Sequence, residues 1–503
     1  MGAEYARQRL RFRPKKIKNN RYRLPATGLP VTSSFRYQQL ENQLLDAINS
    51  QRLRNGERLP SVRSLCQQHQ VSKATVLHAL QRLEAQGLIE ARPRSGFYVT
   101  QRLPALNTPQ ATALQLSPGP VTIPDLLLDI MQRGAAFDLV SADARLTDTT
   151  TGVVTLNRSI SRALRRARGD SAQYYDEPAG LAALREQIAL RLAQRGYAAS
   201  AADLCITVGC QNALFLALMA SCEAGDAVAV ESPGFYGALQ LLQQLNLKVV
   251  EIPSSALSGM DMDALADALS RWPIKACIVS PAYSTPAGAL MPAAARQRLM
   301  ALAAQYDLAI IEDDIYADTA FTRIPDPLKA EDPDGRVILC SSFSKTLSRD
   351  LRLGWIAGGR WHERIVQLKL VTQLASGRAL QQGVADYLAD GSYSSHLRRQ
   401  HYRLRQQRDQ LMEQLQRWPV AVNLSQPQGG LTLWAELPAN TDTHALYSTA
   451  LAQGIVITPG PLFSASGHYR HCLRFSFAHE WTAARQQALT TLGELLAAAG
   501  AKP

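Results

Sequence analysis

The chain has 503 residues, room for about three domains and a large core, and a net charge of +12 that is carried by one end. Residues 1–100 hold 18 Lys/Arg against 6 Asp/Glu, whereas residues 101–503 balance at 36 against 36, so a basic, phosphate-seeking head precedes a neutral body. Seven scattered cysteines with no C-x-x-C pair argue against structural zinc and for a reducing compartment, and no apolar run is long enough for a bilayer. The arginine-rich N-terminus lacks the apolar stretch of a secretory signal, so a cytoplasmic protein is expected.

Residues 1–33 carry nine Lys/Arg between Arg7 and Arg23 and little apolar periodicity. They read either as a disordered arm that tracks DNA phosphates or as an unselected extension from an early start codon. Residues 34–100 predict a compact winged helix-turn-helix. Leu40, Leu44 and Ile48 share one face of a first helix; Ser61 caps a short second helix. Ser72 caps a third, whose core face is Val76, Leu80 and Leu83 and which Gly87 ends. Leu88 to Ala91 and Gly96 to Thr100 predict two short strands around the tip Arg92-Pro93-Arg94-Ser95. Residues 101–121, with Pro104, Pro109, Pro118 and Pro120, predict a partly extended linker.

From residue 122 to 503 apolar strand-like runs alternate with helical segments: Leu204 to Val208, Ala227 to Val230, Val249 to Ile252, Cys277 to Val279, Ala309 to Ile311 and Val337 to Leu339. The expected fold class is α/β, a mostly parallel sheet covered by helices. From about residue 380 a long basic helix (Ser395 to Gln416) and short strands at Leu431 to Glu436 and Cys472 to Phe477 predict a smaller α+β lobe.

The chemistry concentrates in two runs. Lys345 stands in Ser342-Phe343-Ser344-Lys345-Thr346, with Arg352 seven residues on. Thirty-two residues before Lys345, Asp313 follows an apolar strand and precedes Tyr316 by three. An amine for a Schiff base, a carboxylate for a pyridinium nitrogen and a phenol for a ring oxygen form the layout of a pyridoxal phosphate (PLP) site. Asp313 suits the nitrogen better than Asp314, because Tyr316 then reaches the ring oxygen. Ser342, Ser344 and Arg352 supply phosphate ligands. Gly209, at a strand end, leads into an apolar helix whose first N–H groups, on Cys210 and Gln211, add to them. Phe235 follows another strand and offers a flat ring to stack on the pyridine; Tyr236 is its rival. No metal site is expected.

Three resemblances rest on these residues. Leu59-Pro60-Ser61-Val62-Arg63, Val71-Ser72-Lys73-Ala74-Thr75-Val76 and Leu83-Glu84-Ala85-Gln86-Gly87-Leu88 resemble the GntR family of winged helix-turn-helix regulators over about 65 residues. That resemblance implies contacts with double-stranded DNA through Arg63, Ser72, Lys73, Thr75 and, at the wing tip, Ser95 and Gly96. Leu77 stands where some relatives place an arginine. Residues 125–495 resemble the fold-type I PLP aminotransferases. This implies that Tyr175 reaches the phosphate of a neighbouring subunit and that Arg474 grips a substrate carboxylate. It also implies that Thr285, in Thr285-Pro286-Ala287-Gly288, replaces the family's usual asparagine. The whole is similar to the MocR subfamily of regulators. The resemblance implies a homodimer that carries PLP on Lys345 and senses an amino acid or amine by aldimine exchange. A working aminotransferase with a DNA-binding head, and a regulator responding to PLP itself, are the alternatives.

Overall fold

The computed structural model describes residues 36–49, 52–53, 56–85, 88–92, 95–99, 107–121, 125–133, 138–140, 151–167 and 175–500. The basic arm 1–33, Gly87, the wing residues Pro93 and Arg94, and linker residues 101–106 lie outside them. The chain divides into two compact units, Met1–Arg102 and Leu103–Pro503.

In the head, α1 (Arg36–Asn49), α2 (Val62–His69) and α3 (Lys73–Ala85) precede an antiparallel hairpin of β1 (Ile89–Arg92) and β2 (Gly96–Val99). Leu40, Leu44 and Ile48, one turn apart, bury against Val76, Leu80 and Leu83, and Leu59, Leu65, Ala79, Leu88, Ile89 and Val99 join the same core. Both expected caps form. Ser61 Oγ accepts from the Ser64 N–H and Ser72 Oγ from the Thr75 N–H, each at 3.1 Å.

The body opens with α4 (Leu126–Gln132), α5 (Thr151–Arg166) and α6 (Ala182–Ala193). Then come β3 (Leu204–Thr207), α7 (Cys210–Ser221), β4 (Ala227–Ser232), α8 (Tyr236–Gln244), β5 (Lys248–Ser255) and β6 (Gly259–Met260). After these follow α9 (Met262–Arg271), β7 (Ile274–Val279), α10 (Ala293–Tyr306), β8 (Ala309–Asp313), β9 (Val337–Ser342) and β10 (Gly354–Ala357). The eight strands form one sheet in the order β3-β10-β9-β8-β7-β4-β5-β6. From β9 to β5 neighbouring strands are parallel, and their buried, unbroken apolar runs reflect helices on both faces. β10, which the apolar pattern did not mark, runs antiparallel between β3 and β9. Three residues between Gly354 and Gly358 are too short a run to display a period.

The chain continues through α11 (His362–Gln373), α12 (Arg378–Ala389), α13 (Ser392–Gln416), β11 (Asn423–Leu424), β12 (Thr432–Glu436), α14 (Thr443–Ala452), β13 (Cys472–Ser476) and α15 (Ala483–Gly500). β11, β12 and β13 make the small antiparallel sheet. Its lobe also takes in chain from far upstream. Tyr447 Oη donates to Asp129 of α4 at 2.7 Å, and the Val456 N–H donates to Leu139 O at 2.9 Å. The helices and strands of the lobe were legible from about residue 380, but the upstream segments that join it leave no local trace in the sequence.

The described part of the proline-rich stretch, residues 107–121, forms no helix and is tied to the body. Gly119 and Val249 of β5 exchange two backbone hydrogen bonds of 2.9 Å, and Trp272 Nε1 donates to Leu116 O at 2.8 Å. Among the described residues no helix is long and apolar enough to cross a membrane.

Candidate functional site

The carboxyl ends of the parallel strands converge on a cavity of about 110 Å³, where open α/β sheets bind ligands. β8 ends on Asp313, and Tyr316 follows it. β9 ends on Ser342 and feeds Ser344 and Lys345 into the same wall. Cys210 and Gln211 come from the first turn of α7, Phe235 from the start of α8, Thr285 from the loop after β7 and Arg352 from the turn before β10. Ser280 and Ile315, which sequence reasoning missed, also line it.

Electrostatics separate the titratable groups. Burial lifts the Asp313 carboxyl to about 6, against the Cys210 thiol and the Ile315 N–H, which donate to Oδ1 at 3.2 and 3.3 Å. Burial, then the charges of Arg349 and Arg474, lower the Lys345 ammonium to about 7. Its Nζ lies 5.9 Å from the centre of the Tyr316 ring. Burial holds the Tyr316 phenol up at about 12, with Thr285 and Arg474 pulling the other way. Burial also raises the Cys210 thiol well above its ordinary range, so at neutral pH it is an SH donor rather than a thiolate.

Glycine makes the approach to α7 possible. Gly209 has φ +79°, and a Cβ there would stand 2.8 Å from Nη2 of Arg352, whose guanidinium donates to Val208 O at 3.0 Å. The Ser344 hydroxyl, which also lines the cavity, is buried without a hydrogen-bond partner. A glycine-opened cradle, an arginine, a spare hydroxyl and the N-terminus of α7 fit a phosphate. Asp313 and Lys345 fit the ring and carbonyl ends of the same cofactor. Gly209→Ala, through left-handed strain of about 1–2 kcal/mol and a clash with Arg352, should weaken PLP binding at least about tenfold in a fluorescence titration. Unchanged affinity would remove the cradle from the argument.

Phe235 lines the cavity, its ring lying over Gly237, where a Cβ would fall 2.5 Å from Cζ. Tyr236 packs instead into the core beside Phe463, with ring centres 5.7 Å apart. Arg474, on β13, is buried; its Nη2 donates to Thr458 Oγ1 at 3.1 Å. It does not line the cavity, but its charge acts on both Lys345 and Tyr316. Tyr175 is not brought to the cavity: it is 80% exposed.

A second set of residues supports the site and was invisible from the lysine motif. One face of α13 holds the lysine loop. His396 Nε2 donates to Thr346 O at 2.6 Å, and Gln400 Nε2 donates to Lys345 O at 3.3 Å. Tyr393 Oη lies 2.8 Å from Asp318 Oδ2 and 2.9 Å from Thr346 Oγ1. The signal was the spacing of these polar residues, three and four apart along a helix read only as basic.

In the head, Arg63, Ser72, Lys73 and Gly96 are exposed. The Ser72 and Thr75 hydroxyls pair at 2.8 Å, and Ser95 Oγ lies 2.6 Å from Tyr98 Oη.

Known proteins agree with both units. Residues 36–99 match the family described as bacterial regulatory proteins, gntR family, and residues 138–492 match aminotransferase class I and II. The uncharacterised HTH-type transcriptional regulators YjiR and YdcR of Escherichia coli K12 are 38% and 36% identical to this chain. The matches cover 91% and 92% of it and 98% and 99% of them. LysN, the α-aminoadipate aminotransferase of Thermus thermophilus, solved with N-(5'-phosphopyridoxyl)-L-leucine, superposes with a TM-score of 0.64 at 27% identity. It covers 69% of this chain and 88% of its own. The kynurenine aminotransferase of Pyrococcus horikoshii gives 0.69 at 25% identity, over 76% and 96%. Aminotransferase class I and II membership and these neighbours imply PLP as the cofactor. With a gntR-type head on an aminotransferase body, matched over nine-tenths of its length by two regulators of that build, the chain belongs to the HTH-type transcriptional regulators of MocR-like architecture.

Proposed function

We propose that this regulator holds PLP in the cavity at the ends of β8 and β9, and that an amino acid or amine reaching the cofactor changes how the protein binds double-stranded DNA. The observation that carries this reading is one cavity presenting Lys345, with its ammonium lowered to about 7, together with the buried Asp313 carboxyl and an unpartnered Ser344 hydroxyl. When bound, PLP supplies a carbonyl that amines add to and a ring that withdraws electrons.

The chain's own residues divide the remaining tasks. Lys345 would hold the cofactor through its amine, at the place an effector's amine would take. Asp313 has Oδ1 engaged by Cys210 and Ile315, which leaves Oδ2 for the ring nitrogen. Tyr316 and Thr285 would donate toward the ring oxygen, and Phe235 would cover the ring face. Gly209, Cys210, Gln211, Ser342, Ser344 and Arg352 hold the phosphate. Tyr175 stands exposed for the phosphate of a second subunit in a homodimer. Arg474 takes the effector's carboxylate. In the head, Arg63, Ser72, Lys73, Thr75, Ser95 and Gly96 face the DNA.

The test measures affinity for DNA sites selected from a random duplex library. The protein is used as apo form, as PLP-loaded form, and loaded with each of a panel of amino acids and amines. One compound should shift the affinity by about fivefold or more, the range of ordinary allosteric coupling, and DNA should shift that compound's apparent affinity by the same factor. Equal affinity in every arm refutes sensing. A shift on adding PLP alone makes PLP the signal. Keto acid accumulating over many turnovers makes the body an enzyme.

A further inference from the structure

We infer that the outward face of α3 reads A·T base pairs by apolar contact with thymine 5-methyl groups, through Ala74 and Leu77. This rests on the DNA-binding reading given above.

The inward face of α3 is fixed: Val76, Ala79, Leu80 and Leu83 are all fully buried in the head's core. At 100° per residue the opposite side carries Ala74 and Gln81, both exposed, flanked by Leu77, which is half-buried. Leu77 is not among the residues of that core.

The larger basic side chains of α3 are engaged with α1. Arg82 is held by Glu41 of α1, with Nε 2.6 Å from Oε2, and lies over the Tyr37 ring. The His78 ring meets the same Tyr37 edge-on, with centres 4.5 Å apart. Lys73 occupies the first helical position, where a point charge suits a backbone phosphate. Between Ala74 and Gln81 the outward face therefore carries no Arg or Lys to take the paired acceptors of guanine. What it offers instead is methyl groups, and an amide at Gln81 shaped for adenine N6 and N7. The gntR-type helix-turn-helix implies that α3 enters the major groove, where only thymine presents a C5-methyl, so apolar side chains there select A·T pairs by removing that methyl from water.

The experiment uses the full-length protein. Duplexes selected from a random library are resynthesised with deoxyuridine in place of each thymine in turn, which deletes only the methyl group. Affinities are measured by fluorescence anisotropy at one salt concentration. At one or more thymines in each half-site, uracil should weaken binding about fourfold, the size expected for one buried methyl group. In Leu77→Ala, the penalty should disappear at the thymine that Leu77 contacts. Leu77→Arg should move the preference there toward guanine.

Selected sites whose fixed positions are G·C, or affinities untouched by uracil at every thymine, overturn the inference while leaving DNA binding intact. A selection that enriches no sequence overturns the DNA-binding reading itself, and this inference with it.

Discussion

Covalent capture of PLP by the apo-protein is expected to rise with pH, level off above about pH 8, and vanish in Lys345→Ala. An amine adds to a carbonyl only when unprotonated. The Lys345 ammonium is lowered to about 7, first by burial and then by Arg349 and Arg474, with Asp313 opposing. The unprotonated fraction therefore grows about tenfold between pH 6 and pH 8 and then saturates, whereas an ordinary lysine would keep gaining about tenfold per unit toward its pKa of about 10.4. The substitutions have definite signs. Replacing Arg474 by glutamine removes a repelling cation, so the midpoint should move up. Replacing Asp313 by asparagine removes a supporting anion, so the midpoint should move down. Both are read by borohydride fixation of PLP to the protein at a series of pH values, followed by peptide mapping. Fixation that persists in Lys345→Ala, or capture still climbing beyond pH 9, would contradict the placement of Lys345.

The parts of this site that were legible were those with a chemistry peculiar to their residue type and a fixed place on a strand end. Lys345, Asp313 and Tyr316 could be read because an apolar run ending in an acid marks a strand's carboxyl edge. Gly209 could be read because a glycine between strand and helix marks a tight approach. What could not be read depends on who touches whom across the chain. β10 inserts beside β3 although 147 residues separate Thr207 from its partner Gly354. The α13 residues that grip the lysine loop lie some fifty positions downstream of it, as with His396 on Thr346. Glu231 is similar. Burial lifts its carboxyl to about 8, and its Oε2 accepts from the N–H of Ser280, a cavity residue. In the sequence it was only the residue before Ser232-Pro233-Gly234. Phe235, preferred in the sequence over its rival Tyr236, is set apart by Gly237, which gives it a surface to lie on.

Arg195→Ala is expected to cost the body about 3–5 kcal/mol, although Arg195 does not line the cavity. β8 ends on two acids, Glu312 and Asp313, a third, Asp314, follows them, and all three are buried. Glu312 is anchored by the Leu328 and Lys329 N–H groups at 2.6 and 2.9 Å, and burial beside Asp314 lifts its carboxyl to about 7. Asp314 is gripped by both ends of the Arg195 guanidinium, at 2.6 and 2.8 Å. Removing the arginine leaves a charge out of water next to two other acids, which is costlier than the pair itself is favourable. Replacing both partners by apolar residues, Arg195→Met with Asp314→Leu, should therefore recover most of the loss. The deficit should also depend on pH. An orphaned Asp314 has its folded pKa raised above the unfolded value, so the native state takes up a proton as pH falls. The variant should lie closer to wild type at pH 5 than at pH 8. Denaturant unfolding followed by tryptophan fluorescence reports on this unit alone, since all six tryptophans lie between Trp272 and Trp481. A single variant as stable as wild type would mean that Asp314 finds another partner, and that the guanidinium does not anchor the strand end that presents Asp313.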